Sequence, residues 1–116
     1  MYQRGDVILC RVPMPSSGLL HFKVRPAVVV SKDANNRRLE DVIVAPCTSN
    51  AVRRREPTQY LIDGPEIAVA GIRVPSVMKC ESLLTMPKSL IVQRIGRLSD
   101  AALKADDGCL RDALSL

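Results

Sequence analysis

Apolar positions in this chain fall into short, mostly continuous runs divided by polar breaks marked with proline and glycine; only the last segment has helical spacing. Residues 27–31 (Ala-Val-Val-Val-Ser) and 41–47 (Asp-Val-Ile-Val-Ala-Pro-Cys) are rich in β-branched side chains and predict two buried strands. A shorter apolar run predicts a strand over 6–12, and 58–62 alternates well enough for another. Residues 68–71 and 76–80 read as short strands, and 91–98 as the last one. Pro13, Pro15, Ser16, Ser17 and Gly18 predict a loop over 13–23. It is long for a compact domain, where long loops are often functional. Residues 33–40 read as a polar turn region, 53–57 as a charged connection, 63–65 as a turn, and 87–89 as a turn or a single helical turn. Ser99 suits a helix N-cap. After it Ala102, Leu103, Asp106, Cys109, Leu110, Ala113 and Leu114 trace a mainly apolar stripe that should face the core. The pattern predicts a mainly β domain, a small and strongly bent sheet or barrel with a C-terminal α-helix.

Length and composition narrow the picture. The chain has 116 residues, the size of a single domain spanning 1–116, and 47% hydrophobic residues mark it as globular. No apolar run reaches the roughly 18 residues of a membrane span. Met1-Tyr2-Gln3-Arg4-Gly5-Asp6 lacks a signal-peptide pattern, so the expected location is the cytoplasm, away from membranes. Net charge is +5, with basic clusters at Arg37-Arg38 and Arg53-Arg54-Arg55, which suits a polyanion or simply a solvated surface. Cys10, Cys47, Cys80 and Cys109 have no C-x-x-C pairing and no histidine-rich neighbourhood. They are expected to be free thiols, with no metal and no cofactor. Tyr2, Phe22 and Tyr60 are the only aromatic residues, too few for a broad base-stacking platform.

The chemistry concentrates at the ends of the two central strands. Arg25 stands just before one and Thr48 just after the other. Pro26 restricts Arg25 to an extended conformation. If the strands pair antiparallel, the entry of one lies beside the exit of the other, and guanidinium and hydroxyl share a cleft. Such a pair can grip a phosphate and stabilise charge that builds on it. Two plainer roles stand beside this one: Arg25 as an ion-pair partner of Asp6, and Thr48 as a cap for the turn that follows it.

Taken together, five blocks of this sequence make the chain resemble the MazF/PemK family of toxin endoribonucleases. They are Arg4-Gly5-Asp6-Val7, then Val24-Arg25-Pro26-Ala27-Val28-Val29-Val30-Ser31, then Val42-Ile43-Val44-Ala45-Pro46-Cys47-Thr48-Ser49, then Ser76-Val77-Met78-Lys79-Cys80-Glu81, and finally Ile95-Gly96-Arg97-Leu98-Ser99 with the helix behind it. The resemblance implies an SH3-like barrel of antiparallel strands with short helices, a homodimer, and a cognate acidic antitoxin. It implies cleavage of single-stranded RNA without a metal, with Arg25 and Thr48 as catalytic residues and Ser49 and Glu81 as substrate or dimer-groove contacts. His21 and Lys23, on the far arm of the long loop, are further substrate-binding candidates, as is Arg53 for RNA or an acidic antitoxin tail. Arg73 and Lys79 are weaker basic candidates. The chain departs from the family pattern after the acidic residue, where Ser82-Leu83-Leu84-Thr85 replaces the frequent Gln-Ile-Arg-Thr.

RNA carries its own nucleophile in the 2′-OH. Arginine remains protonated at ordinary pH, which makes it a poor general base. That leaves His21, the only histidine, and Glu81 as base candidates. Two other activities fit the same scaffold: a toxin that poisons DNA gyrase, and a nucleic-acid-binding module without catalysis.

Overall fold

A computed structural model describes residues 1–16, 19–50 and 56–116, with the side chains of 13–21 outside the description. The elements are β1 (Asp6–Ser16), β2 (Leu19–Val29), α1 (Asp33–Arg38), β3 (Asp41–Thr48), β4 (Gln59–Ile62), α2 (Glu66–Ala70), β5 (Ser76–Lys79), β6 (Leu84–Pro87), β7 (Ile91–Arg97) and α3 (Asp100–Leu114). Every strand pairing is antiparallel, in the order β4-β5-β3-β2-β1-β7, with β6 also paired to β3. The expected mainly β fold with short helices and a terminal helix is present. The barrel is not closed, because β4 and β7 stand at opposite ends of the strand order.

The continuous apolar runs have a simple cause: over much of their length the central strands are covered on both faces, although Ile43 of β3 is exposed. Val7, Val28, Ala45 and Cys47 pack on one side with Ile62, Met78 and Ala102. Ile8, Cys10, Ala27, Val29, Val42 and Val44 pack on the other with Met86. Alternate residues therefore enter different cores, and neither set can be polar. Along its outer edge β3 pairs first with β6, through Asp41–Val44, and then with β5, through Cys47 and Thr48. A 3-10 turn at Cys80–Ser82 breaks this second ribbon and lets the sheet bend.

Several sequence expectations are corrected. Residues 13–16 and 19–23 are strand rather than loop: β1 and β2 continue as an antiparallel pair out to Ser16 and Leu19, and residues 17–18 lie outside the description. Pro13 and Pro15 are tolerated because β7 stops pairing with β1 at Cys10, so this part of β1 has an open edge. Residues 68–71 are not a strand: Glu66–Ala70 is a helix, ended by Gly71 in the left-handed conformation at φ 75°. The polar region after Asp33 holds a short helix, and β6 was not expected at all.

An N-terminal clasp ties these layers together. The Gly5 N–H donates to the Val29 carbonyl at 2.8 Å, and the Leu98 N–H donates to the Gly5 carbonyl at 2.9 Å. The Arg4 guanidinium donates to the Val30 carbonyl at 3.1 Å. The Asp6 carboxylate is fully buried, accepts from Arg97 at 3.0 Å, and lies 3.7 Å from Arg94. Its buried charge is thus compensated, as burial requires.

The terminal helix brings a less well compensated charge inside. Ser99 caps it, accepting from the Ala102 N–H at 3.1 Å. Ala102 and Asp106 are buried on its inner face, while Leu114 is exposed. Asp106 accepts from the Cys80 thiol at 3.4 Å, but its second oxygen has no hydrogen-bond partner and lies 4.0 Å from Arg4. Burial pushes the Asp106 carboxyl up to about 6, against the opposing pull of the Cys80 hydrogen bond and the Arg4 charge. The folded state then binds this proton more tightly than the unfolded chain, so the stability this group contributes falls as pH rises from about 4 to about 6.

Helix α2 docks on β7 through bare backbone. A Cβ placed on Gly96 would stand 2.4 Å from the carbonyl carbon and oxygen of Ala70, and one on Gly71 would stand 1.9 Å from the Ile95 oxygen. No larger residue fits without moving the main chain.

Two measurements check these points. In urea titrations, Asp106→Asn should gain on the wild type by about 2 kcal/mol between pH 4 and pH 7; a pH-independent difference would show that Asp106 titrates normally. Gly96→Ala should lose about 1–3 kcal/mol of stability by overpacking, and an unchanged unfolding midpoint would show that α2 is free to shift.

Candidate active site

A half-open cleft of about 440 Å³ lies where the middle of β2 and the end of β3 meet the segment joining α2 to β5. Leu9, Pro26, Cys47, Ile72 and Ile95 supply apolar lining, and Arg25, Thr48, Ser49, Arg73, Ser76 and Gln93 supply the polar groups. The Gly71–Gly96 contact positions one wall, because it fixes the start of the α2–β5 segment against β7. The β2–β3 register positions the other.

In that register Ala27 stands opposite Pro46, Val28 opposite Ala45 and Val29 opposite Val44. Arg25 lies two residues beyond the last pair of this ladder on β2, and Thr48 two residues beyond it on β3. Side chains alternate along a strand, so two residues separated by two positions project to the same side. Both residues line the cleft.

Arg25 is held by its backbone. It pairs with Cys10 across β1–β2, and the Cys10 thiol donates to its carbonyl at 3.5 Å. Its side chain is exposed and makes no ion pair among the described residues. The alternative partner, Asp6, is engaged by Arg97 and Arg94 instead. Thr48 is half-buried and pairs with Val77 of β5. Its hydroxyl oxygen accepts from the Asn50 N–H at 3.2 Å. Thr48 therefore does steady the turn, and its hydroxyl proton is still available to a ligand.

Cys47 lines the same cleft yet is a poor nucleophile. Burial, followed by the neighbouring Cys10 and Asp106, pushes its thiol up to about 12, so almost none is thiolate at neutral pH. Among the described residues no group of three His, Cys, Asp or Glu side chains comes together in a metal-binding arrangement.

The remaining sequence candidates divide. Ser49 is exposed and lines the cleft. Lys23 is exposed on the outer part of β2, opposite Val12, and is not part of the lining. His21 has its backbone in β2 opposite Met14, and its side chain lies outside the described residues. Arg53, with Arg54 and Arg55, also lies outside them. Glu81 is not brought to the cleft: β5 begins at the lining residue Ser76, and Glu81 follows beyond its far end in the 3-10 turn. There its carboxylate accepts from Thr58 at 3.1 Å and Gln59 at 2.5 Å. Partial burial acts to raise its pKa, but these hydrogen bonds and nearby Lys79 outweigh it and hold Glu81 below the usual carboxylate value.

Two polar residues gain importance from the structure. Arg73 enters the cleft from the α2–β5 segment, and Gln93 enters from β7, where it stands opposite Leu9. Arg73 was only a weak candidate in the sequence because nothing local links it to Arg25. The alternation Ile91, Gln93, Ile95 along β7 was the available signal for Gln93.

A family of toxins matches the sequence pattern, and solved structures share the fold. The model of PemK-like, MazF-like toxins of type II toxin–antitoxin systems matches residues 3–114. Endoribonuclease EndoA of Bacillus subtilis (strain 168) is 30% identical over 114 residues, covering 98% of this chain and 95% of that protein. The Mycobacterium tuberculosis toxin MazF-mt6 is similar in structure at a TM-score of 0.77 and 24% identity, over 96% of this chain and 97% of that one. An endoribonuclease in complex with its cognate antitoxin, from a mycobacterial species, gives a TM-score of 0.78 at 22% identity, over 100% of this chain and 97% of that one. At those identities the two structures establish a shared fold, while the family match spans nearly the whole sequence. The chain belongs to the PemK-like, MazF-like toxins of type II toxin–antitoxin systems.

Proposed function

We propose that this protein is a sequence-specific, metal-independent endoribonuclease that cuts single-stranded RNA, acting in the cytoplasm as the toxin of a toxin–antitoxin pair. The observation that carries this reading is the presence of Arg25 and Thr48 on one cleft, each with hydrogen-bonding capacity to spare. The relative named endoribonuclease, 30% identical over nearly the full chain, supports the reaction class.

The arrangement suits attack by the substrate's own sugar. Arg25 donates two parallel hydrogen bonds to oxygens of the scissile phosphate. Thr48 donates its free proton to a nonbridging oxygen or orients the 2′-OH. The 2′ oxygen then bonds to phosphorus, and the bond from phosphorus to the 5′ oxygen breaks. The products are a 2′,3′-cyclic phosphate and a 5′-OH. The described lining contains no imidazole or carboxylate. Water in the half-open cleft can accept the 2′ proton and supply one to the departing 5′ oxygen. The fork and the hydroxyl stabilise the charge that builds on phosphorus, and that task requires no metal.

Homodimerisation and inhibition by an acidic antitoxin belong to the same proposal. A solved mycobacterial relative in complex with its cognate antitoxin, and a MazE–MazF structure from Deinococcus radiodurans, support the second. A chain this small also gains stability by burying a further apolar face in a dimer.

The test is digestion of a long RNA by purified protein, with mapping of the new 5′ ends. Cuts should recur at one short sequence, leave 5′-OH ends, and persist in EDTA. Arg25→Ala should lose about 3–4 kcal/mol of transition-state stabilisation, judged by analogy with oxyanion donors, or two to three orders of magnitude in kcat. Loss of cleavage on chelation, or full activity in that variant, sinks the mechanism. Stalled gyrase–DNA complexes without RNA cuts would point to the gyrase-poisoning alternative.

A further inference from the structure

The cleft carries a second guanidinium that the reaction does not use. Arg73 comes from a different wall than Arg25, on the segment between α2 and β5. It is exposed and makes no ion pair among the described residues. Its backbone setting is fixed. Gly71 before it is seated against the Ile95 carbonyl, the Ile72 N–H donates to the Ile67 carbonyl at 3.2 Å, and the Ser76 hydroxyl donates to the Val74 carbonyl at 3.1 Å. Between the two arginine-bearing walls lie apolar groups, including Leu9, Pro26 and Ile95.

A surface of this kind fits a ligand with an apolar body and more than one negative charge. A nucleotide unit has that character: the base can lie on the apolar lining while the phosphates on its two sides approach the rims. One guanidinium suffices for one phosphate. We infer that Arg73 binds a backbone phosphate neighbouring the one held by Arg25, so that the substrate strand is gripped at two successive charges. Arg73 is on this view a substrate-binding residue, and the inference rests on the endoribonuclease reading above. The contact is present before and during the reaction, so its loss weakens binding of ground state and transition state alike.

Binding can be measured apart from cutting. The probe is a fluorescent, mixed-sequence, single-stranded 2′-O-methyl RNA, which lacks the nucleophile. Phosphate contacts carry no sequence information, so its sequence need not match the cleavage site. For a single strand, each phosphate neutralised contributes about 0.7 to the slope of log K against log salt concentration. Arg73→Ala and Arg73→Gln should both lower the slope by about that amount and weaken binding roughly tenfold at low salt. Arg73→Lys, which keeps the charge, should restore the slope. Arg111→Ala, which removes the same charge from the exposed far end of α3, should leave it unchanged. With cleavable RNA, Arg73→Ala should raise KM with kcat nearly intact. An unchanged slope in the Arg73 variants, or a loss confined to kcat, overturns the inference. If no variant, wild type included, cuts RNA while the slopes differ as stated, the endoribonuclease reading fails and the phosphate contact stands.

Discussion

The backbone contact between α2 and β7 is the constraint on which the cleft depends. Gly71 and Gly96 allow two main chains to approach at distances no Cβ would permit. Gly71 also has the positive φ that ends α2. Chain reversal and docking thus occur at one residue, and the following segment is delivered to the edge of the sheet as a wall. The opposite wall comes from the β2–β3 register, which is held by core residues on both faces of the sheet. A slip of one residue there would exchange the two cores, so the pairing of Ala27–Val29 with Val44–Pro46, from which Arg25 and Thr48 extend to the cleft, is as firm as the packing itself.

Part of the positive charge is tied into the structure and part faces the cleft. Arg94 and Arg97 surround the buried Asp6, and Arg4 joins the chain start to Val30 and Asp107. Those cations offset negative charge in the protein and offer little to a ligand. Arg25 and Arg73 face the cleft without such partners among the described residues. The net charge of +5 therefore understates the local contrast. A polyanion meets free guanidinium groups at the cleft and compensated ones at the clasp.

Much of this was legible in the sequence, and the exceptions share a cause. The continuous β-branched runs identified the inner half of β2 and most of β3, but Arg25, expected just before a strand, lies within β2, which extends outward to Leu19, and Thr48, expected just after a strand, is the last residue of β3. The helical stripe and Ser99 identified α3. What failed depended on partners distant in sequence. Five residues of Glu66–Ala70 are too few for periodicity to separate helix from strand, although Gly71 was an available stop signal. The prolines at 13 and 15 suggested a loop because the open edge that tolerates them is set by where β7 ends. Arg73 reaches the cleft only through the α2–β7 contact, which no local pattern reveals.

The composition of the cleft also bears on how hard the chemistry can be driven. Charge stabilisation by one oriented donor contributes about 3–4 kcal/mol, whereas enzymatic rate enhancements generally require about 8–23 kcal/mol. If the cleft cuts RNA as proposed, the difference can come from holding the 2′ oxygen, phosphorus and 5′ oxygen in line. Well-oriented intramolecular reactions gain about 7–11 kcal/mol from such positioning, which is of the right size. On the proposed reaction that alignment is the task of Arg25 and Thr48 at the scissile phosphate, since only groups that touch the reacting atoms can set their line of attack. A grip on the neighbouring phosphate would hold the strand equally in ground state and transition state, and so would set how tightly RNA binds rather than how fast it is cut.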